Sequence, residues 1–212
     1  MKKKLSIKTV TRVLSQLLFL GIFITLVAHR RLQLWMPIFL AGVLLSLIFN
    51  RFYCGWMCPM GTLFRPINWI YGKLGIKRLK TPGFFKNRII RYIILLFMAA
   101  SLIISFKLKV RVNILIYVTA LSVLVTLFFE ESFWHHHICP YGALLSLSSR
   151  PSVLSVKIDE ENCTACGLCQ KVCPADSIET LPSKKRHIIK NECLTCFKCQ
   201  EVCPVDVIHY QS

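Results

Sequence analysis

The sequence predicts a multi-pass α-helical membrane protein, four transmembrane helices in two hairpin repeats, that ends in a small α+β module. Three observations carry the prediction. Four apolar runs, at roughly 13–28, 34–50, 89–106 and 112–129, show no polar face at a 3.6-residue period. No Asp or Glu precedes Glu130, although the chain holds 27 Lys and Arg against 10 Asp and Glu. Eight of the 11 cysteines and eight of the ten acidic residues fall after Arg150.

A span needs about 20 apolar residues, and flanking Lys or Arg can snorkel to the headgroups when a run is shorter. The first run follows a charged "MKKKLSIK" but lacks a small-x-small cleavage site before His29. It therefore reads as an uncleaved helix rather than a signal peptide. The third is the weakest of the four, because Arg91 interrupts its first turn. Five Lys or Arg lie between the N-terminus and Arg12 and nine in 51–91, against five on the other side: Arg30, Arg31, Lys107, Lys109 and Arg111. That asymmetry puts the N-terminus and the 51–91 loop in the cytoplasm, and an even number of spans returns the C-terminus there. The expected location is the cytoplasmic membrane. The formal net charge of +17 is concentrated between apolar runs rather than along one groove-facing helix. It points to anionic lipid headgroups and not to nucleic acid.

The membrane half repeats internally. With Cys58 set on Cys139, Phe52 meets Phe133, Tyr53 meets Trp134, Pro59 meets Pro140, Gly61 meets Gly142, and His135 stands where the first copy has Cys54. Domain limits follow as 1–147 for the membrane part, 148–155 ("SSRPSVLS") for a polar linker and 156–212 for the tail module.

The tail holds "CTACGLCQKVCP" at 163–174 and "CLTCFKCQEVCP" at 193–204, each a C-x2-C-x2-C-x3-C-P run, thirty residues apart. This is the spacing of bacterial-type ferredoxins with two [4Fe–4S] clusters, in which the fourth cysteine of each run serves the other cluster. Cys163, Cys166, Cys169 and Cys203 are expected at one cluster, and Cys173, Cys193, Cys196 and Cys199 at the second. Short strands at "VLSVKI", "HIIK" and "VIHY" would complete a pseudo-twofold α+β ferredoxin unit. Structural zinc fits poorly, since one tetrahedral ion does not use four cysteines at 2-2-3 spacing before a proline. An odd count with C-x-x-C runs likewise excludes a secreted disulfide framework.

The Cys-Pro segments are less specific. Gly55, Pro59 and Gly61 argue for a tight surface loop rather than regular helix around Cys54 and Cys58. Three readings stand: packing by free cysteines, a redox or metal-transfer dithiol, or a third metal or Fe–S centre at Cys54, Cys58, Cys139 and His135. Histidine replaces thiolate in Rieske centres and raises their potential. His136 and His137 read as polar anchors or as acceptors of quinol protons. "GTLFRPINWIYGKLG" reads as an interfacial segment, and Lys184, Lys185 and Arg186 as a basic loop able to steer an acidic redox partner.

The pairing of "CGWMCPMG" with "CPYG", four apolar spans and a two-cluster tail resembles the membrane-bound 4Fe-4S proteins with C-x3-C-P motifs. That family includes the quinol-oxidising membrane ferredoxin of periplasmic nitrate reductase systems, and the membrane half of the nitrous oxide reductase regulator is similar. The resemblance implies electron relay between menaquinone or another quinone and a redox partner protein, as the electron-transfer subunit of a quinol-linked oxidoreductase. It equally allows an assembly or regulatory factor for a metalloenzyme. His135 departs from the family pattern, where a cysteine is expected.

Overall fold

The computed structural model describes residues 7–83, 88–107 and 114–212. The charged residues at 1–6 and the basic Lys109 and Arg111 used above lie outside them. Helix α1 covers Ile7–Ala28, and a 3-10 turn at Leu32–Leu34 leads into α2, Trp35–Phe49. Short α3 (Phe52–Trp56) and longer α4 (Pro59–Leu74) follow. Then come α5 (Arg88–Lys107), α6 (Ile114–Phe128), α7 (Glu131–Phe133), a π-helical turn (Trp134–Ile138) and α8 (Pro140–Ser148).

Of the four apolar runs, two give helices long and apolar enough to cross a membrane, Ile7–Ala28 and Leu32–Phe49. The other two yield shorter apolar stretches, Ile89–Ile104 and Ile114–Phe128. The first turn of α5 is committed to a buried ion cluster through Arg91, 2% exposed. On α6, Thr119, Ser122 and Thr126 form a buried polar stripe, and each hydroxyl donates to a carbonyl three or four residues back. Side chains satisfied in this way let helices approach closely in apolar surroundings.

The helical core is aromatic. Trp35 stands edge-on to Phe23 at 5.4 Å, and its Nε1 donates to the Tyr53 hydroxyl at 2.8 Å. Phe39 packs edge-on against both Tyr53 (5.4 Å) and Tyr141 (5.1 Å), so it touches both copies of the repeat.

The tail adds β1 (Ser155–Ile158), α9 (Leu168–Lys171), β2 (Ile178–Thr180), β3 (Arg186–Ile188), α10 (Lys198–Val202) and β4 (Ile208–Gln211). β1 pairs antiparallel with β4 and β2 with β3, two ribbons related by the thirty-residue repeat. The backbone carries the same duplication. Positive φ recurs at Ala165 and Thr195, at Gly167 and Phe197, and at Asp176 and Asp206. Left-handed φ costs a non-glycine residue roughly 1–2 kcal/mol, and turns that mix it with right-handed residues gather N–H groups on one side of the loop.

The predicted linker is not a solvated tether. Ser149, Ser152 and Ser155 are buried, Leu154 N donates to Ile48 O at 2.8 Å, and β1 already begins at Ser155. What fixes the tail to the helices is an ion triad. Arg91 grips Glu192 through both carboxylate oxygens, at 2.7 and 2.9 Å, and Arg51 Nη1 reaches Glu192 Oε2 at 3.2 Å. Ser146 Oγ donates to Glu192 Oε1 at 3.2 Å, and all three ionic side chains are at most 2% exposed. Burial alone would push the Glu192 carboxyl up. The Arg91 hydrogen bonds and the charges of Arg51 and Arg91 overcome that and hold it below the ordinary carboxylate value.

Removing the sole anion leaves two buried guanidiniums facing each other, whereas losing Arg91 leaves a balanced Arg51–Glu192 pair. Glu192→Gln should therefore cost about 3 kcal/mol or more and clearly exceed Arg91→Met in thermal unfolding of the detergent-solubilised protein. Equal losses from the two variants would contradict this account of the triad.

Candidate iron-sulfur sites

Each tail motif is a loop that enters a one-turn helix, α9 or α10, through a left-handed residue, Gly167 or Phe197. The next cysteine of the motif, Cys169 or Cys199, then turns inward and is buried. Around these loops lie two cavities. One is lined by Cys173, Cys193, Cys196 and Cys199. The other is lined by Cys163, Cys166, Cys169 and Cys203. The fourth cysteine of each motif thus lies in the wall of the opposite cavity, the crossing expected from the spacing.

Each cavity offers four thiols, the donor set of a [4Fe–4S] cluster, so the residues fit that group. Among the described residues no three His, Cys, Asp or Glu side chains come close enough to hold a single metal ion. Burial pushes the Cys193 thiol up to about 12 and raises Cys169, Cys196 and Cys199 as well. Cluster assembly must therefore expel these protons.

The two sites differ in surroundings. Cys166 is exposed at the outer cavity, and Arg186 lines it, close enough to Gly167 that an added Cβ would meet Nη2 at 3.2 Å. Of the basic loop, Arg186 is therefore turned against the outer motif, while Lys185 Nζ donates to Glu161 O at 2.7 Å. The inner cavity is pressed against the helices. Trp56 Nε1 donates to Thr195 O at 3.0 Å, and the Arg12 guanidinium donates to Cys196 O. A Cβ on Gly55 would sit 2.3 Å from Leu194 O, so only glycine lets α3 come this near.

The Cys-Pro segments are more helical than the sequence predicts. Cys54 lies inside α3, and Cys58 and Cys139 occupy N-cap positions of α4 and α8, with Pro59 and Pro140 at the first helical position. A proline there lacks an N–H that the helix would not have used, so it starts the helix instead of preventing it. The predicted interfacial segment is α4 itself, with Met60 and Phe64 buried and Trp69 and Leu74 exposed.

Cys54 and Cys139 are buried in two core clusters, half-buried Cys58 packs against both, and burial raises all three thiols, Cys139 to about 11. Arg51 Nη2 approaches Cys54 Sγ at 3.9 Å, and the Gly142 N–H donates to Cys139 Sγ. His135 is buried and lines one cavity with Cys54 and Glu131, and its Nε2 lies 3.4 Å from Glu131 Oε1. His136 and His137 stack ring on ring at 4.7 Å, and the His136 carbonyl accepts from Arg91 at 3.3 Å.

A family model for the 4Fe-4S binding domain matches residues 32–77 and 112–159, one stretch around each Cys-Pro segment, and a 4Fe-4S dicluster domain model matches 155–204. The chain is similar to the ferredoxin-type 4Fe-4S proteins. The ferredoxin-type protein NapH of Haemophilus influenzae is 28% identical over 149 residues, 63% of this chain and 50% of its own. The methylamine utilization ferredoxin-type protein MauN of Methylorubrum extorquens is 27% identical over 154 residues, 62% and 50%. An uncharacterized protein of Methanocaldococcus jannaschii is 33% identical over 137 residues, 63% and 55%. The chain spans about half the length of these relatives. No solved structure matches it.

The sequence pattern did not single out Glu192 or Arg51, and it marked Gly55 only as a helix breaker, not as the point of closest approach to the tail. The signal for Glu192 was a break in the repeat, since Asn162 holds the matching place before the first motif. Arg91 stood out as a charge in an apolar run, and such residues generally find a buried partner.

The crossed geometry has a sharp consequence. Cys203→Ser should disturb the same EPR signal as Cys163→Ser, forty residues away, and Cys173→Ser the same signal as Cys193→Ser. Signals that group by motif instead would refute the crossing.

Proposed function

We propose that this chain is a membrane-anchored electron relay holding two [4Fe–4S] clusters, one at Cys163, Cys166, Cys169 and Cys203 and one at Cys173, Cys193, Cys196 and Cys199. The observation that carries the reading is the pair of four-cysteine cavities, one exposed and one docked on the helices. When bound, each cluster accepts and donates one electron at a time. The chain's own residues set the order. Arg12, Trp56 and Gly55 press the inner loop against the apolar helices, and the outer loop with Cys166 faces solvent, where a redox partner protein can dock.

The anchor is read as four spans in the cytoplasmic membrane with both termini inside, supported by the two long apolar helices, the two shorter ones and the one-sided basic loops. The donor or acceptor on the lipid side is read as the quinone pool. A hydroquinone oxidised on the lipid side would release two electrons, which clusters held by these eight cysteines could take one each, and two protons to water. The names of the ferredoxin-type relatives support this class of role. Cys54, Cys58 and Cys139 are read as packing where the two repeats meet, their thiols protonated and buried.

Anaerobically purified protein should contain about eight irons per chain, unchanged in Cys58→Ala, and its clusters should be reduced promptly by menaquinol. A colourless preparation would sink the cluster reading. Clusters indifferent to quinol would sink the relay, and iron lost from Cys58→Ala alone would restore a metal role for the Cys-Pro segments.

A further inference from the structure

The outer cavity holds one residue that neither the motif spacing nor the repeat explains. Besides Cys163, Cys166, Cys169 and Cys203 its wall is largely apolar, and the ionised side chain in its lining is Arg186. Thirty residues earlier, at the matching place in the first half of the duplication, stands Val156, 2% exposed in the apolar core of the tail. The arginine therefore belongs to one half only.

Arg186 opens β3, and its side chain folds back over the outer loop. Nη1 donates to Thr180 Oγ1 and to the Lys184 carbonyl. Nη2 lies against Gly167, where φ is +73° and a Cβ would meet that nitrogen at 3.2 Å. Nε is buried and makes no hydrogen bond. No carboxylate pairs with this guanidinium among the described residues. A buried N–H calls for an acceptor, and the chain alone supplies none here.

Three roles compete for this side chain. A strut for the loop accounts for Nη1, whose acceptors lie on β2 and in the turn before β3, but leaves Nε unexplained. Steering of a partner suits Lys184, which is exposed, and not a guanidinium turned inward against Gly167. The third role follows from the four thiols beside it. A cluster held by them carries negative charge on its sulfurs, and one negative charge more once reduced. An N–H donor and a positive charge at its edge favour the reduced form and raise the potential. Around the inner site Arg12, Arg51 and Arg91 are instead each engaged by a carboxylate, Glu201 or Glu192.

We propose that Arg186 tunes the outer cluster, its Nε–H donating to a sulfur of the [4Fe–4S] group at Cys163, Cys166, Cys169 and Cys203 and its charge raising that cluster's potential alone. The role rests on the cluster reading above and gives the outer site a lever that the inner one lacks.

The test is an EPR-monitored redox titration of the anaerobically purified full-length protein, the outer signal being the one that Cys163→Ser disturbs. Arg186→Met keeps most of the stem and removes both charge and donor. The outer cluster's affinity for its electron should fall about tenfold, about 59 mV for a one-electron couple. The inner potential and the iron content should stay at wild-type values. Arg186→Lys keeps the charge but lacks Nε, so it should show a smaller fall in the same direction. It also decides the question should Arg186→Met fail to hold the outer cluster. A filled outer site that titrates at the wild-type potential in either variant would overturn the proposal, as would an equal shift of both signals. Loss of outer iron in both variants would make Arg186 a strut and overturn it too. Wild-type protein without iron would sink the cluster reading itself, a failure distinct from these.

Discussion

The structure depends on one buried carboxylate. Glu192 sits next to the first cysteine of the inner motif and is held by guanidiniums from two separate helical regions, Arg51 before α3 and Arg91 on α5. Two cations brought this close out of water would repel each other, so neither region could adopt its position without the tail. The tail in turn could not bury Glu192 without both. The helical half and the cysteine module are therefore one folding problem. Asn50, which donates to Lys190 O at 2.8 Å, and Tyr210, whose hydroxyl donates to Phe49 O at 3.1 Å, extend the same seam.

That seam explains why two near-identical motifs end in different environments. Their local backbones match down to the left-handed residues. The second motif, however, carries Glu192, Thr195 and Lys198 where the first carries Asn162, Ala165 and Leu168. Of the first set, Glu192 reaches the helices through its side chain, Thr195 only through its carbonyl, and Lys198 lines the cavity between them. The second leaves Leu168 exposed beside the outer site. Burial, nearby cations and solvent access are the levers that set cluster potentials, so duplication of the chain yields two unlike redox sites.

The helical repeat shows the same logic. Cys58 and Cys139 hold equivalent helix-start positions, yet Cys54 faces Arg51 while its counterpart His135 faces Glu131. A change of residue type within a duplicated frame altered the partner and not the frame. The sequence suggested a tight loop here because glycine and proline usually break helices. The structure begins a helix at each proline, where the missing N–H has no role to lose.

The two cysteine loops and three of the tail's four strands were legible, because cluster spacing is local, whereas β2, Ile178–Thr180, was not singled out. The aromatic repeat and the apolar helices were legible for a related reason, since periodicity records which faces avoid water. Glu192, Gln16 and the close approach at Gly55 were not. Each is an ordinary residue whose role comes from partners far along the chain, as with Gln16 and Gly55 or Glu192 and Arg91. A linear pattern records propensity and spacing. Only tertiary structure decides which buried charge meets which, because desolvation makes the cost of every polar group depend on the partner it finds.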